Sequence, residues 1–178
     1  MIKIGVLALQ GDFLEHYNTL NKIKSVKPCY VKKLGDLKNL HGLIIPGGES
    51  TTIGKLLKLY KLDIAIKKAA KKGLGIYGTC AGCVLLAKKV DSPYSLKLMG
   101  IEVKRNAYGR QIDSFHSPFG LFIRAPKIIR TLSKDVKILK KYKKNIILVQ
   151  QDNILASTFH PELSQDIKIH QYFIKSCC

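Results

Sequence analysis

Acidic residues are scarce in this chain. Twelve Asp and Glu stand against 31 Lys and Arg, a formal net charge of +19 over 178 residues. Arginine is scarce as well: Arg105, Arg110, Arg124 and Arg130 are the only four, so the excess is almost all lysine. A nucleic-acid partner is the first reading such a charge invites. Two features argue against it. Arginine is the better reader of base edges, and the lysines are scattered through the helical segments instead of gathered. The densest run, VKILKKYKK at 136–144, alternates apolar and basic residues like a strand with one solvated face. The charge is therefore read as solvated surface with no nucleic acid, and an acidic protein partner stands as a further reading. No stretch reaches the ~18 apolar residues that cross a bilayer, so no membrane is expected. The opening IKIGVLAL is short and is followed by Asp12, which makes it a buried first strand and not a signal peptide. Cysteine is present in an odd number, five, without a secretory segment, which excludes a disulfide framework. The Cys177-Cys178 pair lacks the four-residue prenylation pattern and reads as a frayed tail. Together these absences predict a cytoplasmic protein.

What is present is a core. Hydrophobic residues make up 46% of the chain, enough to bury one compact domain over 1–178. In the first half, apolar runs alternate with helical spacing. Strands are predicted at 2–9, 28–33, 42–46 and 73–78. Helices are predicted at 14–23 and, as one or two pieces capped by Ser50 or Thr51, at 51–72. AGCVLLAKK at 81–89 continues with helical spacing. This βαβα order predicts an α/β fold, a mostly parallel central sheet with helices on both faces. The second half shortens into strand-like pieces: LMGIEVKR, FGLFIRAP, VKILKKY, NIILVQQ and NILASTF. The last two predict a hairpin about Asp152-Asn153. A final helix fits 165–176, with His170 on its exposed side.

Three segments carry chemistry. In GIYGTCAGCVLLA (75–87), a strand ends in Gly78-Thr79-Cys80-Ala81-Gly82 and a helix follows. This is the layout of a nucleophile elbow with Cys in place of Ser. The glycines permit the turn, and the helix N-terminus favours a thiolate. The N–H of Ala81 is placed to meet an oxyanion. A small buried cysteine would produce the same pattern. Cys80 and Cys83 also spell C-x-x-C, but no second pair follows to complete a zinc site. The second segment is NILASTFHPEL, where an apolar strand ends in His160, Pro161 and Glu162. An acylating cysteine needs a base, and a carboxylate two residues on can orient that imidazole. His16, His41, His116 and His170 lack such context. The third is LIIPGGESTTIGKLL (43–57), a strand running into two glycines and a helix start. It suits an anion-binding nest but is not a P-loop, since Leu56 follows Gly54-Lys55.

Taken together these segments resemble the class I glutamine amidotransferases, and within them the family of glutaminase subunits of pyridoxal 5′-phosphate synthase. GVLALQGDFLEH, PGGESTT, GTCAGCVLLAK, RNAYGRQIDSF, FIRAP and FHPEL carry the resemblance over nearly the whole chain. It implies a flavodoxin-like glutaminase fold and hydrolysis of L-glutamine to glutamate and ammonia through a Cys80 thioester. The ammonia would be passed to a barrel-shaped synthase subunit in vitamin B6 biosynthesis. No cofactor and no metal are implied. By motif, Cys80 is the nucleophile, His160 the base and Glu162 its orienter. Gly48 and Ala81 form the oxyanion hole. Gly48, Glu49, Ser50, Arg105, Ile123 and Arg124 bind glutamine, and Gln10 faces the partner. Arginine within these motifs suits a bidentate hold on a carboxylate. Two departures stand out: only HSPFGL separates DSF from FIRAP, and QQDN occupies 150–153. Other glutamine amidotransferases, a cysteine peptidase or chaperone on a related fold, and a basic nucleic-acid module are the alternatives.

The C-x-x-C reading and the elbow reading separate experimentally. Cys80→Ala should abolish glutamine hydrolysis, while Cys83→Ser keeps most of it. A glutamine-like electrophile should leave its adduct on Cys80, as mass spectrometry of the labelled chain will read.

Overall fold

The computed structural model describes residues 1–107, 115–117, 120–122 and 125–178. The chain opens with β1 (Ile2–Leu7), α1 (Phe13–Asn21), β2 (Val26–Val31) and β3 (Gly42–Ile45). Next come α2 (Ser50–Leu59), α3 (Leu62–Lys71), β4 (Gly75–Thr79), α4 (Ala81–Leu86) and β5 (Ala87–Val90). The remainder is β6 (Met99–Lys104), β7 (Phe115–Ser117), β8 (Gly120–Phe122), β9 (Lys127–Thr131), β10 (Lys137–Tyr142), β11 (Asn145–Gln151), β12 (Ile154–Ser157) and α5 (Lys168–Cys177). Ten strands form one sheet in the order β2-β1-β3-β4-β12-β11-β9-β6-β5, with β10 pairing β11 from outside that path. From β2 through β12 every neighbour runs parallel, and around β11 and β9 the pairing turns antiparallel. The predicted α/β architecture is therefore present, with an antiparallel extension built by the second half.

Alternation along the parallel strands explains the layers. Successive residues of a strand point to opposite faces. In β3, Leu43 and Ile45 join one buried cluster with Ile53, Leu57, Leu62, Ile66 and Leu85 of α2, α3 and α4. Ile44 joins the other, with Leu20 of α1 and Phe173 and Ile174 of α5. In β4, Ile76 and Tyr77 divide the same way. Both faces need a helical cover, so these strands read as continuous apolar runs.

The structure departs from the sequence reading at identifiable points. The segment 51–72 is two helices, split at Lys61 with φ 57°. Glu49, not Ser50 or Thr51, caps α2: its carboxylate accepts from Thr51 N at 3.1 Å, Thr52 N at 2.6 Å and Thr52 Oγ1 at 2.8 Å. An anion there also meets the positive end of the helix dipole. Helical spacing at 81–89 stops at Leu86, because Ala87 turns extended to pair β6. Strand β9 was missed, its KIIRT having no clean alternation. The hairpin at Asp152-Asn153 forms as expected, with Gln151 opposite Ile154 and Asp152 at φ 51°. The terminal cysteines are not frayed: Cys177 is 5% exposed within the α5 cluster, and the sulfur of Cys178 lies where a side chain on Gly42 would project. No helix among the described residues is long and apolar enough to cross a membrane.

Phe173 anchors α5, fully buried with its ring 5.5 Å from that of Tyr77. Phe173→Ala should cost about 3–5 kcal/mol of stability, since the emptied volume faces a packed sheet. Urea unfolding followed by circular dichroism will give the shift in midpoint.

Candidate active site

Four parallel strands deliver the site from their C-terminal ends, where ligands gather in open α/β sheets. The loop after β1 brings Gln10 and Asp12, the loop after β3 brings Gly47 to Ser50, β4 leads into Cys80, and β12 leads to His160. Cys80 and His160 sit 80 positions apart in sequence but follow neighbouring strands. Thr79 pairs Ser157, and Cys80 N donates to Ser157 O at 2.9 Å. Cys80 itself has φ 46° and ψ −100°, a left-handed conformation costly for a residue with a Cβ. Strain of about 1–3 kcal/mol is held there by the sheet on one side and α4 on the other. The cysteine is 7% exposed.

His160 is held on all sides. Its backbone exchanges hydrogen bonds with Leu121, N to O at 2.9 Å and O from N at 3.4 Å, so the strand β8 straps it in place. Pro161 opens a short 3-10 turn that swings Glu162 back beneath the ring. Nδ1 lies 2.8 Å from Glu162 Oε1 and 3.1 Å from Asp12 Oδ2. With Nδ1 taken by carboxylate oxygens, Nε2 is the nitrogen left for the hydrogen bond with Cys80. Burial by itself would lower the affinity of His160 for its proton. The hydrogen bonds to Asp12, Cys80 and Glu162 outweigh it and push the imidazole up to about 12. Glu162 shows the mirror image: desolvation would raise it, but His16 and His160 hold it well below the usual carboxylate range. A cysteine sulfur, an imidazole with a fixed Nδ1 proton and a buried anion behind it can together perform acyl transfer. Burial raises Cys83 far above an ordinary thiol, the charge of Cys80 adding to it, so it stays protonated.

The glycine loop packs against both the β1 loop and the histidine. Asp12 N donates to Gly47 O at 3.0 Å, and Glu49 N donates to Gln10 Oε1 at 2.9 Å. A side chain on Gly47 would stand 2.8 Å from His160 Nδ1, and Gly48 has φ 147°, where L-residues are strained. Only glycine lets this loop reach the imidazole so closely. Above it opens a cleft of about 570 Å³ lined by Gly48, Glu49, Ser50, Cys80, Ala81 and Arg105, together with Asp12 and His160. Arg105 Nη2 lies 3.3 Å from Glu49 Oε1, and its backbone N donates to Asp91. Ile123 and Arg124 lie outside the described residues.

A family model, the SNO glutamine amidotransferase family, matches residues 6–178. The chain belongs to this family. A pyridoxal 5′-phosphate synthase subunit PdxT of Clostridium botulinum (strain Loch Maree / Type A3) is 46% identical, covering 98% of this chain and 96% of that protein. One of the same name from Pseudothermotoga lettingae is 49% identical, covering 97% and 94%. A crystal structure of a glutamine amidotransferase superposes with a TM-score of 0.90 at 41% identity, covering 98% of each chain.

Within this glutamine amidotransferase, sequence reasoning passed over three polar residues. Asp12 reaches His160, and His16 Nε2 lies 3.4 Å from Glu162 Oε1. His170, expected on an exposed face, is fully buried and bonded to His16. Asp12 and His16 fall inside the GVLALQGDFLEH motif, so a signal existed; His170 carried none beyond helical spacing. Asp12, His160 and Glu162 also place one ligand atom each within 4.8 Å of one another, so a divalent cation would compete there with the Nδ1 proton.

The Glu162 shift fixes the sign of a pH effect. A carboxyl lowered on folding stabilises the protein above its unfolded pKa, ~4.3, and that contribution is lost as pH falls below it. Wild type should therefore exceed Glu162→Gln in stability by more at pH 7 than at pH 3, as paired urea titrations at the two pH values will measure.

Proposed function

We propose that this chain is the glutaminase subunit of a pyridoxal 5′-phosphate synthase. It would hydrolyse L-glutamine and hand ammonia to a barrel-shaped synthase subunit. The observation that carries the reading is His160, hydrogen-bonded between Cys80 and the buried Glu162 at the floor of a cleft. In this reading the proton between Cys80 and His160 rests on the imidazole, and the sulfur attacks the side-chain carbonyl carbon of glutamine. The oxyanion is received by the backbone N–H groups of Gly48 and Ala81. His160 returns the proton to the amide nitrogen, the C–N bond breaks, and ammonia leaves a Cys80 thioester. Water, deprotonated by His160, then attacks the thioester; glutamate departs and the thiol is restored. Glu162 keeps the Nδ1 proton in place and offsets the imidazolium charge. Glu49, Ser50 and Arg105 line the cleft and would hold the glutamine.

Hydrolysis without a waiting acceptor would waste glutamine. The loop at Pro46-Gly47-Gly48 is suited to prevent it, because Gln10 and Asp12 grip it from the β1 side. A synthase docked against Gln10 would change that grip and with it the aim of the Gly48 N–H. One such donor is worth roughly 10²–10³ in turnover.

The isolated chain should accordingly release glutamate slowly and speed up when its synthase subunit is added. Because the surface is basic, the stimulation should weaken as salt rises. Full activity of the chain alone, indifferent to the partner, would reject the coupled reading.

A further inference from the structure

Behind Glu162 runs a buried polar chain that the hydrolysis just described does not use. His16 on α1 and His170 on α5 are both fully buried, and neither lines the cleft. His16 Nε2 lies 3.0 Å from Thr79 Oγ1 and 3.4 Å from Glu162 Oε1. Its Nδ1 meets His170 Nε2 at 2.9 Å. Thr79 is the residue immediately before Cys80. One imidazole thus touches both the acid that orients His160 and the residue that leads into the elbow.

Two constraints place the hydrogens. Nε2 of His16 faces a carboxylate, so it carries a hydrogen; a bare lone pair would be turned on an anion. At the other end, His170 Nδ1 is buried with no partner among the described residues. If His170 donates from Nε2 to His16 Nδ1, that orphan is an unprotonated nitrogen. In the opposite sense it would be a buried N–H without an acceptor, the costlier arrangement. Burial lowers His170 to about 3, so its ring is neutral. On the carboxylate, Oε2 has no partner among the described residues, and Oε1 takes both contacts.

We propose that His16 and His170 form a positioning dyad for glutamine hydrolysis, a run of donors from His170 through His16 that locks the Glu162 carboxylate beneath His160. The inference rests on the glutaminase reading and extends it: the dyad touches no substrate, so it acts on turnover and not on glutamine capture.

The test is a series at position 16, assayed in the complex with the synthase subunit. His16→Leu should lower kcat about 10–100-fold, as losses of residues supporting a catalytic group commonly do, with KM for glutamine unchanged. His16→Gln, which puts an amide N–H near the former Nε2, should restore most of it. His16→Asn, whose amide falls nearer Nδ1, should not, and this contrast decides the matter if the leucine variant fails to fold. In a Glu162→Gln background, His16→Leu should have no further effect. Alkylation of Cys80 by iodoacetamide at pH 7 should slow in His16→Leu and recover in His16→Gln. Equal losses in the Gln and Asn variants with unaltered alkylation, or an additive loss in the Glu162→Gln background, would overturn the dyad. Undiminished glutamate release by Cys80→Ala would instead overturn the reaction, and the alkylation series would then decide the dyad by itself.

Discussion

The side chain of Glu162 is removed from water completely, and it is ionised. A carboxylate in that position is tolerated only when donors replace its hydration. Among the described residues two reach Oε1: His160 from two residues back along the same turn and His16 from the first helix, with His170 supporting His16 from the last. The requirement reaches far beyond the site. It fixes where α1 and α5 may sit on one face of the sheet, and it makes Pro161 useful, since the turn must bring Glu162 back under its own neighbour. The conformation of Cys80 is the complementary constraint: a left-handed residue pinned between β4 and α4, with its sulfur aimed at the imidazole that Glu162 holds.

The first half of the fold was legible because its strands are buried on both faces and its helices carry regular apolar spacing. Residues near the strand ends 7, 45 and 79 could be read almost directly. The second half was less so. Strand β9 is partly exposed and lacks alternation, and the switch from α4 to β5 at Ala87 has no proline or glycine to announce it. Within the site, the Cys80 elbow and the His160-Pro161-Glu162 turn were readable because each is a local pattern. Asp12 and His16 were visible only as members of a longer motif and His170 not at all, because their importance lies in contacts spanning as many as 154 positions. A histidine on a helix looks the same in sequence whether it faces water or a partner. The cap at Glu49 was misassigned for a related reason: small hydroxyl residues stood beside it, and a longer carboxylate did the capping.

Charge is distributed unevenly between surface and site. Of only 12 acidic residues, Asp12, Glu49 and Glu162 gather around one cleft, while most of the lysines are exposed. Arg105 answers Glu49 through a single Nη2–Oε1 contact at 3.3 Å. A positive exterior eases the ionisation of the carboxylates inside it.

The pairing of His16 with His170 also has a consequence for synthesis. A ribosome makes the elbow and the glycine loop well before it reaches position 170, and domains acquire their structure as units during translation. Until that late helix emerges and closes over α1, Glu162 has lost part of its support and His160 part of its orientation. A nascent chain that has not yet made α5 would thus hold a cysteine but little power to use it, and competence would arrive only once that helix packs against α1.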